Sequence, residues 1–140
     1  MTMASLPVIT ELDAARIREL GNRLPNEGAA FEPFQQLLSK VHQEAEIVPG
    51  RRISADVVTL NSTATFRDEL TGTEHCVTLV YPADASIAER RISVLSPVGR
   101  ALLGQSVGSV VSFEQPGGAL REIRVLELNY QPEASGEYAR

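Results

Sequence analysis

Apolar residues recur with a helical period over residues 1–50 and with a strand period over most of residues 51–140. Thr10 precedes Glu11-Leu12-Asp13, an N-cap followed by acids where the helix dipole favours them. Ile17, Leu20 and Leu24 then follow at spacings of three and four, Gly21 weakens the helix, and Pro25 closes it. Phe31, Phe34, Leu38, Val41, Ala45 and Val48 keep an unbroken 3-4-3-4-3 stripe, which predicts a second helix from about Pro33 until Pro49-Gly50 ends it. Two such helices joined by a short loop predict an antiparallel hairpin, a short coiled coil with arms of about 22 Å. The same stripe also suits one wall of an ordinary core.

Beyond Ile53 the pattern is that of strands. Val57-Val58-Thr59-Leu60 is apolar and β-branched, and Thr63-Ala64-Thr65-Phe66-Arg67 leads to a turn at Thr71-Gly72. His75, Val77, Leu79 and Tyr81 alternate with Glu74, Cys76 and Thr78, the period of a half-buried strand. Further strands are predicted at Arg91-Ile92-Ser93-Val94-Leu95, at Val110-Val111-Ser112-Phe113 and, after the Pro116-Gly117-Gly118 turn, at Ile123-Arg124-Val125-Leu126-Glu127-Leu128. Apolar parity switches between Val125 and Leu126, which predicts a bulge or a twisted strand. One short helix is predicted over residues 97–103, opening on Pro97 and stopped by Gly104. The expected class is α+β: a helical hairpin over residues 1–50, then a mostly antiparallel β domain over residues 51–140 with a mobile tail from Glu133. Separate cores are expected for the two parts, and a monomer, because each hairpin arm covers the other's stripe.

Composition narrows the function more than it names it. The 43% hydrophobic content supports a true core, and no apolar run is long enough for a membrane span. The N-terminus has neither basic nor apolar leader character, so a cytoplasmic location is expected. Net charge is −5, and acids outnumber bases in both halves, which argues against direct binding of nucleic acid. The single cysteine excludes an internal disulfide.

Catalytic groups do not converge. His42 lies off the helical stripe, His75 starts a strand on its apolar face, and no His/Cys cluster has ligand spacing. Adjacent His75 and Cys76 point to opposite faces of a strand, so they make a poor base and nucleophile, and Cys76 is expected to be a small packed side chain. Glycines form no phosphate cradle. The acids nearest the expected hairpin tip are Glu27 and Glu32, beside Phe31. The residues alone therefore predict a binding module, with no enzyme activity, no metal and no cofactor.

Several motifs occur in an order that carries a family resemblance. Ser96-Pro97-Val98-Gly99-Arg100-Ala101-Leu102-Leu103-Gly104 is followed by Val107-Gly108-Ser109-Val110, then by Pro116-Gly117-Gly118 and the last strand. This resembles the C-terminal domain of the Gre transcript-cleavage factors. With Asp56-Val57-Val58-Thr59-Leu60-Asn61-Ser62, Thr78-Leu79-Val80-Tyr81-Pro82 and Leu126-Glu127-Leu128-Asn129-Tyr130, the whole chain is similar to the Rnk type of Gre relative, the so-called regulators of nucleoside diphosphate kinase.

The resemblance implies an FKBP-like β domain without isomerase activity. It implies docking on the rim of the RNA polymerase secondary channel through the turn at Leu95, Ser96 and Pro97. Gre hairpins also carry paired acids that help hold a catalytic magnesium ion, and nothing between Leu24 and Phe34 reproduces that pair. The implied function is a polymerase-binding regulator that competes with Gre factors without stimulating cleavage. Two other readings stand beside it: a binding module for another cytosolic protein such as nucleoside diphosphate kinase, and an FKBP-like prolyl isomerase. The 5% aromatic content and absence of tryptophan weigh against the isomerase.

Overall fold

Thr10 ends the first strand, β1 (Val8–Thr10), and caps the first helix, α1 (Glu11–Leu20), its Oγ1 accepting the N–H of Asp13 at 3.0 Å. The structure, a computed structural model, describes residues 6–23, 28–115 and 117–137. The chain continues through α2 (Phe31–Ser39), a wide helical turn (Lys40–Glu44), β2 (Glu46–Val48), β3 (Thr63–Asp68), β4 (Glu74–Val80), β5 (Arg91–Ser93), α3 (Pro97–Leu102), β6 (Val110–Glu114) and β7 (Leu120–Tyr130). No helix among the described residues is long and apolar enough to cross a membrane.

The second helix is shorter than its stripe predicts. Regular α-helix stops at Ser39, the ladder widens over Lys40–Glu44, and Ala45 turns the backbone extended. Ile47 and Val48 continue as a strand because β1 lies alongside: β2 pairs with it in parallel, Ile9 opposite Ile47 and Thr10 opposite Val48. The buried positions of this segment are Phe34, Leu37 and Val41, while Leu38 is only half-buried. Gly21 does more than end α1: a Cβ there would lie 2.7 Å from the Phe34 ring, so its hydrogen admits α2.

The five-stranded sheet has the order β5-β4-β3-β7-β6. It is antiparallel except for the parallel pair β4–β5. The predicted bulge is present. Phe66 pairs with Val125 and Thr65 with Glu127, so Leu126 is the extra residue where apolar parity changes. The predicted strand at Val57-Val58-Thr59-Leu60 does not join this sheet. It is a buried connector, with one isolated bridge from Val57 to Ser106 and with Val58 bonded to Gln105 and Gly104.

Two further expectations are corrected. The cores are not separate: Ile9, Ile17, Phe34, Leu37 and Val41 belong to one apolar cluster with Val58, Leu60, Leu79, Val94, Leu102 and Val125. Physically, an α1 of ten residues has too little area to bury its apolar face on α2 alone. Nor does a mobile tail start at Glu133, which is 9% exposed and begins a short 3-10 turn (Glu133–Ser135).

Candidate protein-docking site

The turn from β5 into α3 is built by side chains that serve its own backbone. Ser96 Oγ accepts the N–H of Gly99 at 3.0 Å and donates to the Ser93 carbonyl at 2.7 Å. Ser93 Oγ accepts the N–H of Leu95 at 3.0 Å, and the Arg100 guanidinium donates to the Leu95 carbonyl. Pro97 takes the first helical position, where its missing N–H costs nothing. Gly99 closes the arrangement, since a Cβ there would lie 2.0 Å from the Ser93 carbonyl oxygen. The Ser-Pro-x-Gly spacing is thus one device made of a cap, a pre-set first residue and a backbone contact.

This geometry divides the predicted docking residues. The Ser96 hydroxyl is engaged inward on both sides. Leu95 and Pro97, both half-buried, line an open groove of about 1280 Å³ between α2 with its wide turn, α3 and β6. Glu32 lines the same groove from α2. Phe31 is 37% exposed and does not line it, and Glu27 lies outside the described residues. Thus one residue predicted for the hairpin tip stands beside two predicted for docking.

Lys40, the chain's only lysine, was not predicted as a site residue. Its ammonium donates to the Arg100 carbonyl at 2.6 Å and approaches that of Ala101 at 3.5 Å, at the end of α3 where carbonyls lack helical partners. Burial pushes its pKa down to about 8; Glu44 opposes the shift and Arg100 adds to it. Burial also lowers that of Arg100, against the pull of Glu32. The one available signal was compositional: the other twelve of the thirteen Lys and Arg residues are Arg.

A second polar group is buried where the helices meet the connector. Asp13 Oδ2 accepts the N–H of Leu60 at 3.1 Å, and Thr59 Oγ1 donates to Glu133 Oε1 at 2.7 Å. Burial raises the Asp13 pKa to about 7; the Leu60 N–H opposes this, and the charge of Glu133 adds to it.

The imidazole of His75 is half-buried and stacks on Phe66, ring centres 5.2 Å apart, while His42 is exposed. Cys76 is exposed on the other face of β4, not packed as expected; Asn129 Oδ1 is its polar neighbour at 3.8 Å. Among the described residues no three His, Cys, Asp or Glu gather as a metal site would require. The groove sets apolar side chains such as Leu95, Pro97 and Val111 beside Glu32, Glu44, Glu114, Lys40 and Arg100, a mixture suited to a protein contact.

Residues 53–130 match the family model of the C-terminal domain of the transcription elongation factors GreA and GreB. The chain belongs to the GreA/GreB family. The matched span holds β3 to β7, and with them the α3 and β6 walls of the groove. Across 131 residues, 94% of either chain, this family member is 40% identical to the regulator of nucleoside diphosphate kinase of Escherichia coli K12. It is 36% identical over 96 residues to the GreA factor of Syntrophomonas wolfei, covering 69% of this chain and 60% of that one. Among solved structures, a GreA/GreB elongation factor from Nitrosomonas europaea superposes with a TM-score of 0.70 at 39% identity, covering 89% of this chain and 99% of its own.

Proposed function

We propose that this chain is a transcription regulator of the Rnk type that binds RNA polymerase at the rim of the secondary channel. It does so through the turn at Leu95, Ser96 and Pro97, and competes there with Gre cleavage factors without stimulating cleavage. The supporting observation is the Ser-Pro-x-Gly turn, which carries Leu95 and Pro97 to the groove in a member of the GreA/GreB family. Ser96 acts by holding the turn in shape, and Leu95 and Pro97 make the contact.

Reach argues against cleavage. The ten residues of α1 extend about 15 Å at 1.5 Å per residue. A carboxylate must come within about 2.1 Å of a magnesium ion to hold it, and Glu32 lines the groove instead. The name of the Escherichia coli relative connects it with nucleoside diphosphate kinase; in this reading a change in kinase level follows from transcription, in the cytoplasm, without direct contact.

The test uses backtracked elongation complexes and purified components. The chain alone should leave the transcript uncleaved, and it should suppress cleavage by a Gre factor in proportion to its concentration over its dissociation constant. Transcript cleavage by the chain alone, or undiminished Gre activity at saturation, would overturn the proposal.

A further inference from the structure

The two edges of the sheet are finished differently. At one, β5 has only three residues, and its Arg91 exchanges backbone hydrogen bonds with Ser86 at 2.8 and 2.9 Å, so the preceding loop closes the edge. At the other, β6 is longer and open. The Gln115 N–H donates to the Ala119 carbonyl at 2.8 Å, and the Val125 N–H donates to the Ser109 carbonyl at 3.0 Å. With Val111 opposite Ile123 and Phe113 opposite Arg121, the hydrogen-bonded positions of β6 are the odd-numbered ones. By the alternation of an antiparallel ladder, Val110, Ser112 and Glu114 turn N–H and C=O away from β7. No other backbone group takes them among the described residues.

Natural sheets blunt such an edge with charge, Pro, a bulge or a covering helix; Val-Val-Ser-Phe-Glu has no Pro, Lys or bulge, and its one charge is Glu114 at the end of the strand. Every residue of β6, not every second one, lines the groove. The groove therefore opens on the edge of the strand and not on one of its faces.

We infer that β6 is the acceptor for an extended, lysine- or arginine-bearing segment of a partner protein, which adds as a further strand inside this groove. Strand addition supplies affinity through the backbone and selectivity through alternate side chains. Charge sets the class of partner. Glu32, Glu44 and Glu114 line the groove, whereas its two cations, Lys40 and Arg100, are directed at carbonyls of this chain. A basic segment finds carboxylates there, and an acidic one finds no uncommitted cation. A second copy fits less well, because its own β6 has no basic residue: Val-Val-Ser-Phe-Glu offers no cation to Glu32, Glu44 and Glu114. Strand addition at β6 does not require polymerase binding, but Leu95 and Pro97 line the same groove, so a protein seated on them and the added strand exclude each other.

The experiment titrates the full chain with a short peptide alternating lysine and valine, with its glutamate counterpart, and with a helical lysine–alanine peptide, read by NMR and amide exchange. The lysine–valine peptide should bind saturably and slow exchange at Val110, Ser112 and Glu114 by about tenfold or more, leaving Val111 and Phe113 as they were. Ser112→Lys, a surface change that keeps the β6–β7 ladder, should weaken binding about tenfold or more through edge repulsion. Ser112→Pro, which removes one outward N–H, should do the same. Equal binding of the glutamate peptide, stronger binding of the helical one, unchanged exchange at the three amides, or indifference to Ser112→Lys would each overturn the inference. So would self-association of the chain that Ser112→Lys abolishes.

Discussion

Asp13, in the first turn of α1, accepts the backbone N–H of Leu60 across 47 residues of sequence. Leu60 lies in the buried connector, where no neighbouring strand takes that N–H, and an unpartnered buried donor is expensive. The carboxylate therefore replaces a strand partner and fastens the helical segment to the sheet. Beside it Thr59, bonded to Ser62 and Glu133, ties in the end of the chain.

The clip should make stability depend on pH. The Asp13 pKa is raised from 3.8 to about 7, so between these values the folded chain binds more protons than the unfolded one. Stability then falls as pH rises through that window and levels off above it, by an amount on the order of 4 kcal/mol. Asp13→Asn keeps an acceptor for Leu60 and has no charge to desolvate. Chemical denaturation at several pH values between 4 and 8 should show a flatter profile for the variant; a parallel profile would assign the pH dependence elsewhere.

Gly99→Ala should be the most damaging single-methyl change in α3. Its Cβ would stand 2.0 Å from the Ser93 carbonyl, a backbone atom that cannot turn aside. A loss of about 3 kcal/mol or more is expected. Ser96→Ala removes only the cap, at about 1 kcal/mol. Denaturant midpoints for the two variants check the order.

The shared core predicts one unfolding transition. Leu37→Ala, at a fully buried site, should cost about 2–5 kcal/mol and shift helix and sheet signals together. Leu38→Ala, at a half-buried site, should cost less. Helical signal lost before the sheet signal would mean that the two parts unfold separately.

Pro97→Arg should keep the fold, since the first helical position tolerates either residue, yet weaken polymerase binding about tenfold or more. Ser96→Ala should do less at equal folding, because that hydroxyl points into the turn. Affinity for polymerase, measured alongside circular dichroism, tests both.

Local signals were the legible ones. Ser96, Pro97, Gly99 and Gly104 mark α3 because cap, first turn and stop all act within a few residues of each other. The parity switch at Leu126 located the bulge for the same reason. Val57 to Leu60 misled because β-branched residues suit any extended buried chain, and their partners come from residues 104–105 and Asp13. Val48 misled because the apolar stripe ran on in phase after the helix had ended, and only β1 distinguishes the two outcomes. The Lys40 contact with Arg100 spans 60 residues and leaves no periodic trace. For Glu32 the sequence supplied the residue but not its neighbours, since nothing local brings α2 to α3.

The side-by-side pairing of β1 with β2 has a consequence for how such proteins change length. Entry to and exit from the helical segment are fixed at one base, Val8 against Glu46 and Thr10 against Val48. Residues added between α1 and α2 lengthen a loop whose ends are already joined, and closing a longer loop costs only a logarithmic increment. The connection between α1 and α2 can therefore lengthen, in evolution or by engineering, without shifting the paired base from which both helices spring.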